Sequence, residues 1–177
     1  MRIIAGKLGG RTFEAPRGRT TRPMSEKVRG ALFNTLGDIE GLTVFDAFSG
    51  SGALAYEAIS RGAASALIIE QDKTAYKAID ENINHLGLDS QIKNLRANVG
   101  GWSNNNTTKQ FDLVLLDPPY NNLDRQLLQK LVRHAKIGGL VVLSWPGKEP
   151  APPFEGLEQV TNKNHGDIQL VFYRKIE

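Results

Sequence analysis

Asp117-Pro118-Pro119-Tyr120 closes the apolar run Phe-Asp-Leu-Val-Leu-Leu at positions 111–116. That run reads as a buried strand, so the tetrapeptide falls where the carboxyl edge of a parallel sheet opens to ligand. Two consecutive prolines end the strand and stiffen the turn by fixing their own φ angles. A carboxylate and an aromatic ring are thereby held in a set relation. One chemistry that needs such a pair is alkylation of a base's exocyclic amine. The carboxylate and the Pro118 carbonyl accept the amine hydrogens while the Tyr120 ring stacks on the base. The plain structural alternative is a proline turn, with Asp117 capping a helix and Tyr120 packing. A second motif, far upstream, favours the chemical reading.

That motif is Asp46-Ala47-Phe48-Ser49-Gly50-Ser51-Gly52-Ala53, between an apolar strand pattern and a helical one. Gly50 and Gly52 permit backbone angles closed to other residues and let the chain approach a ligand closely. Glu70 ends the next strand pattern, about twenty residues on, where a carboxylate can bind ribose hydroxyls. Strand, glycine turn, helix, strand and acid in that order describe a nucleoside site. Gly50-Ser51-Gly52-Ala53-Leu54-Ala55 also matches the dinucleotide fingerprint with alanine last. Asp46 sets a negative charge beside the turn, which disfavours a pyrophosphate and favours a cationic cofactor such as S-adenosyl-L-methionine. Asn98, after the third strand, is placed to hydrogen-bond an adenine edge.

The 177 residues suit one domain, 1–177, with residues 1–22 as a basic hairpin and loop at its start. The absence of cysteine excludes disulfides and thiolate chemistry, and His85, His134 and His165 lack ligand spacing, so no metal is expected. No apolar stretch is long enough to span a bilayer, and the start lacks a signal-peptide pattern, which predicts a cytoplasmic protein. The net charge of +3 is unevenly placed. Residues 1–29 hold eight Lys/Arg against two Glu, a net +6, whereas the remainder holds fourteen basic and seventeen acidic residues, a net −3. A basic arm on an acidic body predicts a polyanionic partner at one end. Arg11, Arg17 and Arg19, which fit no apolar pattern, are its candidate RNA contacts.

Periodicity supplies the elements that position these groups. Two short strands, 2–6 and 10–14, flank a glycine turn as a small β-hairpin. A helix spans roughly 24–36, with Pro23 at its start and Gly37 past its end. Strand 43–47, helix 52–61, strand 66–70, helix 73–86 and strand 92–97 follow. A polar loop over 100–110 leads to strand 111–116, helix 123–135 and strand 140–144. An extended proline-rich connector runs over 145–154, and strands 157–161 and 168–174 form a terminal antiparallel hairpin. The expected fold is α/β: a doubly wound, Rossmann-like sheet, mostly parallel, with helices on both faces.

Several stretches together carry a family resemblance: Met1-Arg2-Ile3-Ile4-Ala5-Gly6, Arg22-Pro23-Met24-Ser25-Glu26-Lys27-Val28-Arg29, Ala31-Leu32-Phe33-Asn34, the glycine turn, Ser60-Arg61-Gly62-Ala63, Asp117-Pro118-Pro119-Tyr120 and Gly166-Asp167. Over essentially its whole length the chain resembles the bacterial 16S ribosomal RNA guanine-N2 methyltransferases, enzymes that use S-adenosyl-L-methionine. The resemblance implies that Asp46, Phe48, Ser49, Gly50, Gly52, Glu70, Asn98 and Val99 hold the cofactor, and that Arg22 and Ser25 close over its methionine end. It implies that Asp117, Pro118, Pro119 and Tyr120 hold a flipped guanine. The N-terminal hairpin would grip 16S rRNA or the small ribosomal subunit. Separately, a monomer is expected. The chain departs from the family pattern at Met24 (usually threonine), Gly30 (usually glutamate) and Gly100-Gly101, where a short helix normally begins. A DNA adenine-N6 methyltransferase shares the tetrapeptide, and an inactive nucleic-acid-binding module is the alternative from another class.

Overall fold

The computed structural model describes residues 1–18 and 23–177. Seven strands form one sheet: β1 (Thr43–Asp46), β2 (Ser65–Glu70), β3 (Ile92–Arg96), β4 (Phe111–Leu116), β5 (Ala135–Pro146), β6 (Leu157–Asn164) and β7 (Ile168–Lys175). Their order is β3-β2-β1-β4-β5-β7-β6, with β1–β5 mutually parallel and β7 antiparallel to both of its neighbours. Five helices are present among the described residues: α1 (Glu26–Leu36), α2 (Ala53–Ser60), α3 (Lys73–Leu86), α4 (Val99–Asn105) and α5 (Arg125–Leu131). The expected α/β sheet, with its antiparallel end, is therefore the observed one.

Strand alternation splits the core into two. Val44, Leu113, Leu115 and Val142 face a cluster built with α1–α3, whereas Phe45, Val114, Val141 and Leu143 face one built with α4 and α5. Because both faces are covered, these strands read as continuous apolar runs rather than alternating ones. Local chemistry sets the helix bounds. Ser25 Oγ accepts the Val28 N–H (3.2 Å), so α1 starts at Glu26 rather than Met24. Asp72 does the same for α3 through Ala75 (2.7 Å), and Gly87 in the left-handed region ends that helix.

Three expectations change. The polar loop begins as helix α4, because Asn98 caps it by accepting the Gly101 N–H (2.9 Å) and Trp102 packs on Phe45 with ring centroids 4.9 Å apart. Two glycines cost this helix about 1 kcal/mol each relative to alanine. A Cβ on Gly100 would lie 3.3 Å from both Leu127 Cδ1 of α5 and Asn98 Oδ1, so α5 packs closely over this turn. The helix expected over 123–135 is α5 alone, started by Asp124, which accepts the Gln126 and Leu127 N–H groups (both 3.0 Å). A 3₁₀ turn, Val132–His134, follows it. β5 runs from Ala135 to Pro146, well beyond 140–144, joining β4 across a register shift between Phe111 and Leu113.

The N-terminal hairpin contains one bridge, Arg2–Thr12, and its backbone pairs through Ile3 N–H to Arg11 O (2.9 Å) and Phe13 N–H to Met1 O (3.0 Å). It lies clamped on the body. Glu57 of α2, fully buried, accepts the Ile4 and Ala5 N–H groups (2.9 and 3.1 Å) and the Arg61 Nε–H (2.8 Å), with the Arg29 guanidinium 3.7 Å away. Arg29 in turn donates to Arg2 O. Ser60 Oγ bridges Ala5 O and Leu8 N–H, and Asn82 of α3 exchanges two hydrogen bonds with the Glu14 backbone.

Candidate active site

β1 sits between β2 and β4, and the chain winds outward from it in both directions, so the carboxyl ends of β1 and β4 form the topological switch point. Both motifs meet there. Asp46 ends β1 in register with Leu115 of β4, and Asp117 stands two residues beyond Leu115. α2 starts at this edge, and Arg61 at its far end bonds Asn34 near the end of α1 (3.0 Å). α1 therefore points its first residues, Ser25 among them, back toward the switch point.

The glycine turn is tightly specified. Gly50 and Gly52 have φ of +58° and +82°, and a Cβ on Gly52 would fall 2.4 Å from Tyr56 Oη. Glu70 clasps the turn: its carboxylate accepts the Gly50 N–H (3.0 Å) and, with its other oxygen, the Asp72 N–H (2.9 Å). Ser49 Oγ donates to Ile69 O (3.2 Å), tying the turn to β2. Phe48 packs on the second core cluster, and Val99 is buried within it.

Asp46 is the electrostatic focus. It is fully buried and neither oxygen has a well-formed hydrogen bond, the Phe48 N–H giving only weak support. Burial, reinforced by the charges of Asp117 and Glu70, pushes its carboxyl up to about 8. A buried, unsatisfied carboxylate ringed by two more acids suits a cationic ligand and opposes a pyrophosphate. The donor set therefore fits S-adenosyl-L-methionine, whose charged groups are an ammonium and a sulfonium.

The tetrapeptide forms a rigid lip across from Asp46. Pro118 is buried, Asp117 and Pro119 are half-buried, and the Asn122 N–H closes the turn on Pro119 O (3.2 Å). Tyr120 is 39% exposed, yet its hydroxyl is held at 2.6 Å by Ser144 Oγ of β5. Burial and the Asp117 charge push that phenol up to about 12, so it stays protonated. An open ring with an anchored tip is a stacking platform. Ser144, which sets the platform's angle, gave no signal in the sequence beyond ending an apolar run.

The remaining expected site residues fall elsewhere or play second parts. Asn98 Oδ1 is occupied in capping α4, and its amide nitrogen donates to Gln71 (3.3 Å), so its side chain is committed locally. Ser25 caps α1. Arg11 is exposed, and its guanidinium donates to His85 O (3.0 Å) and Leu86 O (3.4 Å), satisfying the carboxy-terminal carbonyls of α3. α3 begins at the switch-point edge and spans about 20 Å, so Arg11 lies at the opposite edge of the sheet. Arg17 is exposed. Arg19 and Arg22 lie outside the described residues. Among the described residues no cluster of His, Asp and Glu could hold a metal, and no helix is long and apolar enough to cross a membrane.

Comparison with known proteins places this geometry. The family model described as conserved hypothetical protein 95 matches residues 1–174. The ribosomal RNA small subunit methyltransferase D of Haemophilus influenzae is 30% identical over 184 residues, covering 98% of this chain and 93% of that protein. Its namesake in Escherichia coli K12 is 33% identical over 140 residues, covering 78% and 68%. The solved structure of yhhF, a candidate methyltransferase from Escherichia coli, superposes with a TM-score of 0.86 at 26% identity, covering 99% and 98%. A buried acid before a glycine turn, a proline-stiffened lip facing it, and relatives of this kind along nearly the whole chain lead to one assignment: the chain belongs to the conserved hypothetical protein 95 family of small-subunit ribosomal RNA methyltransferases and is itself a methyltransferase.

Proposed function

We propose that this protein transfers a methyl group from S-adenosyl-L-methionine to the exocyclic N2 amine of a guanine in 16S ribosomal RNA, acting as a single-domain cytoplasmic monomer. The observation that carries the proposal is the facing pair at the switch point: the buried, unsatisfied Asp46 and the Asp117-Pro118-Pro119-Tyr120 lip with its anchored, open ring. S-adenosyl-L-methionine, when bound, supplies an electrophilic methyl group. Asp46, Glu70, Phe48, Ser49, Gly50, Gly52, Asn98 and Val99 form its site, with Arg22 and Ser25 covering one end. Glu70 accepts the Gly50 and Asp72 N–H groups, which holds its carboxylate at the end of β2, where an acid meets ribose hydroxyls. Val99 gives an apolar wall, and Asn98 acts through its position at the start of α4.

The guanine amine is a poor nucleophile because its lone pair is delocalised into the ring. Asp117 and the Pro118 carbonyl accept its two N–H bonds, favouring a pyramidal nitrogen whose lone pair points away from them. Tyr120 stacks on the base, with Pro119 stiffening the loop, and the Ser144 hydrogen bond fixes that plane. As the nitrogen gains its methyl it becomes acidic, and Asp117 receives the released proton before solvent does. Catalysis is mostly positioning and preorganised electrostatics. The target base must leave its stack to reach the lip. The test is to incubate the protein with labelled cofactor and unmodified small ribosomal particles, then digest the RNA and identify the labelled nucleoside by mass spectrometry. N2-methylguanosine is expected. Label only in N6-methyladenine of added DNA would overturn the assignment.

A further inference from the structure

A cavity of about 440 Å³ lies outside the switch-point crevice, between the outer face of α5 and the connector that follows β5. One wall is Arg125, Gln129, Lys130 and Arg133, and the other is Pro152, Pro153 and Phe154. No carboxylate lines it, and Arg125, Lys130 and Arg133 are all exposed. Neither the basic amino-terminal arm nor the catalytic lip contributes to it.

The groove is preformed. Trp145 Nε1–H donates to Pro150 O (3.0 Å), Tyr173 Oη–H to Pro152 O (2.7 Å), and Gln129 exchanges two hydrogen bonds with the Glu155 backbone. It also begins close to the lip in the chain: only residues 121–124 separate Tyr120 from Arg125 at the start of α5, and the Arg125 guanidinium lies over the Trp145 ring at 5.5 Å. From Arg125 the cations descend α5 and the 3₁₀ turn for about 12 Å. Three exposed cations lining one wall, with no carboxylate among the lining residues and the exposed Pro153 opposite, match the successive phosphates of a single RNA strand.

We infer that the α5–connector groove binds the RNA strand next to the flipped guanine, Arg125 meeting the phosphate nearest the lip and Lys130 and Arg133 the following ones. This rests on the RNA-methylating reading above and adds a substrate subsite to it. Once seated, the strand is anchored beside the target base, which helps to hold that base in the lip.

The test compares the parent protein with Lys130→Gln/Arg133→Gln, and with Lys130→Arg/Arg133→Lys, which keeps both charges. The probe is a short single-stranded RNA containing guanine. Its affinity is measured by fluorescence anisotropy across a salt series, with methylation of small ribosomal particles measured alongside. The neutral variant should bind RNA more weakly and flatten the plot of log affinity against log salt by about 1.4 units, since each single-strand phosphate contact contributes about 0.7. Its KM for particles should rise while kcat and cofactor affinity hold, and the charge-keeping variant should match the parent. An unchanged slope in the neutral variant, beside a parent that methylates particles, overturns the groove alone, as does equal loss in both variants. Normal RNA binding by a neutral variant that fails on particles would overturn it in favour of a ribosomal-protein contact. A parent that methylates no RNA overturns the functional reading instead.

Discussion

At the scale of single residues, the site turns on a carboxyl group that the free protein keeps protonated. Asp46 ionises near 8 in the folded chain and near 3.8 in a model peptide, so between those values the unfolded state has lost a proton that the folded state retains. Its contribution to stability is fully present below the lower value and is lost as pH rises through the upper one. Asp46→Asn should therefore raise the thermal midpoint of the free protein at pH 8 more than at pH 5, as differential scanning calorimetry would show. The same substitution should weaken S-adenosyl-L-methionine by roughly tenfold or more, because a charged partner is worth about 1.5–3 kcal/mol. For the parent, cofactor affinity should climb between pH 6 and 8 with release of a proton, since the bound form needs the carboxylate. Affinity that is flat with pH, measured by calorimetry in buffers of different ionisation enthalpy, would remove Asp46 from the cofactor site. Ser144 is the quieter partner. Ser144→Ala frees the Tyr120 hydroxyl and should lower kcat several-fold with cofactor affinity unchanged, a loss of orientation rather than of binding.

At the scale of elements, the amino-terminal hairpin is held as a fixed part of the body through one buried carboxylate. Glu57 is fully buried and serves two backbone N–H groups and Arg61, while Arg29 beside it is 1% exposed. Glu57→Gln leaves the Arg29 charge without its counter-ion, and losses of this kind cost about 3–5 kcal/mol. Urea unfolding should show that loss, together with earlier proteolysis within residues 1–18. A variant as stable as the parent would mean that the hairpin is docked by its apolar residues, Ile3 and Phe13, alone. The elements also show how far the sequence was legible. β4 and α3 agree with their apolar periodicity to the residue, because a buried strand and an amphipathic helix both write their packing into local pattern. α4 was hidden because Gly100-Gly101 reads as a breaker, while the packing of Trp102 on Phe45 that supports it is tertiary. β5 was foreshortened because Gly138 and Gly139 interrupt its run, although the strand pairs through a bulge there. Arg11 counted toward a basic arm because charge is visible in sequence, whereas the open end of α3 that it caps is not.

At the scale of the whole molecule, the doubly wound sheet brings Asp46 and Asp117, seventy-one positions apart, to one edge. The motifs were readable one by one, and their meeting follows from the parallel pairing of β1 with β4. What the sequence could not show was the support behind each motif: Ser144 under Tyr120, Glu70 clasping Gly50, and Tyr56 forcing a glycine at position 52. Cations are distributed so that α5 and its following turn continue outward from the lip, while Arg11 lies at the far edge. The central claim is that the switch-point edge divides into a cofactor half headed by Asp46 and an amine-accepting half headed by Asp117. Asp117→Ala tests it most directly, assayed by single-turnover methylation of unmodified small ribosomal particles beside calorimetric cofactor binding. Loss of one preorganised group predicts a rate lower by roughly a hundredfold or more, with cofactor affinity changed little. Normal turnover, or a variant that no longer binds S-adenosyl-L-methionine, would contradict that division.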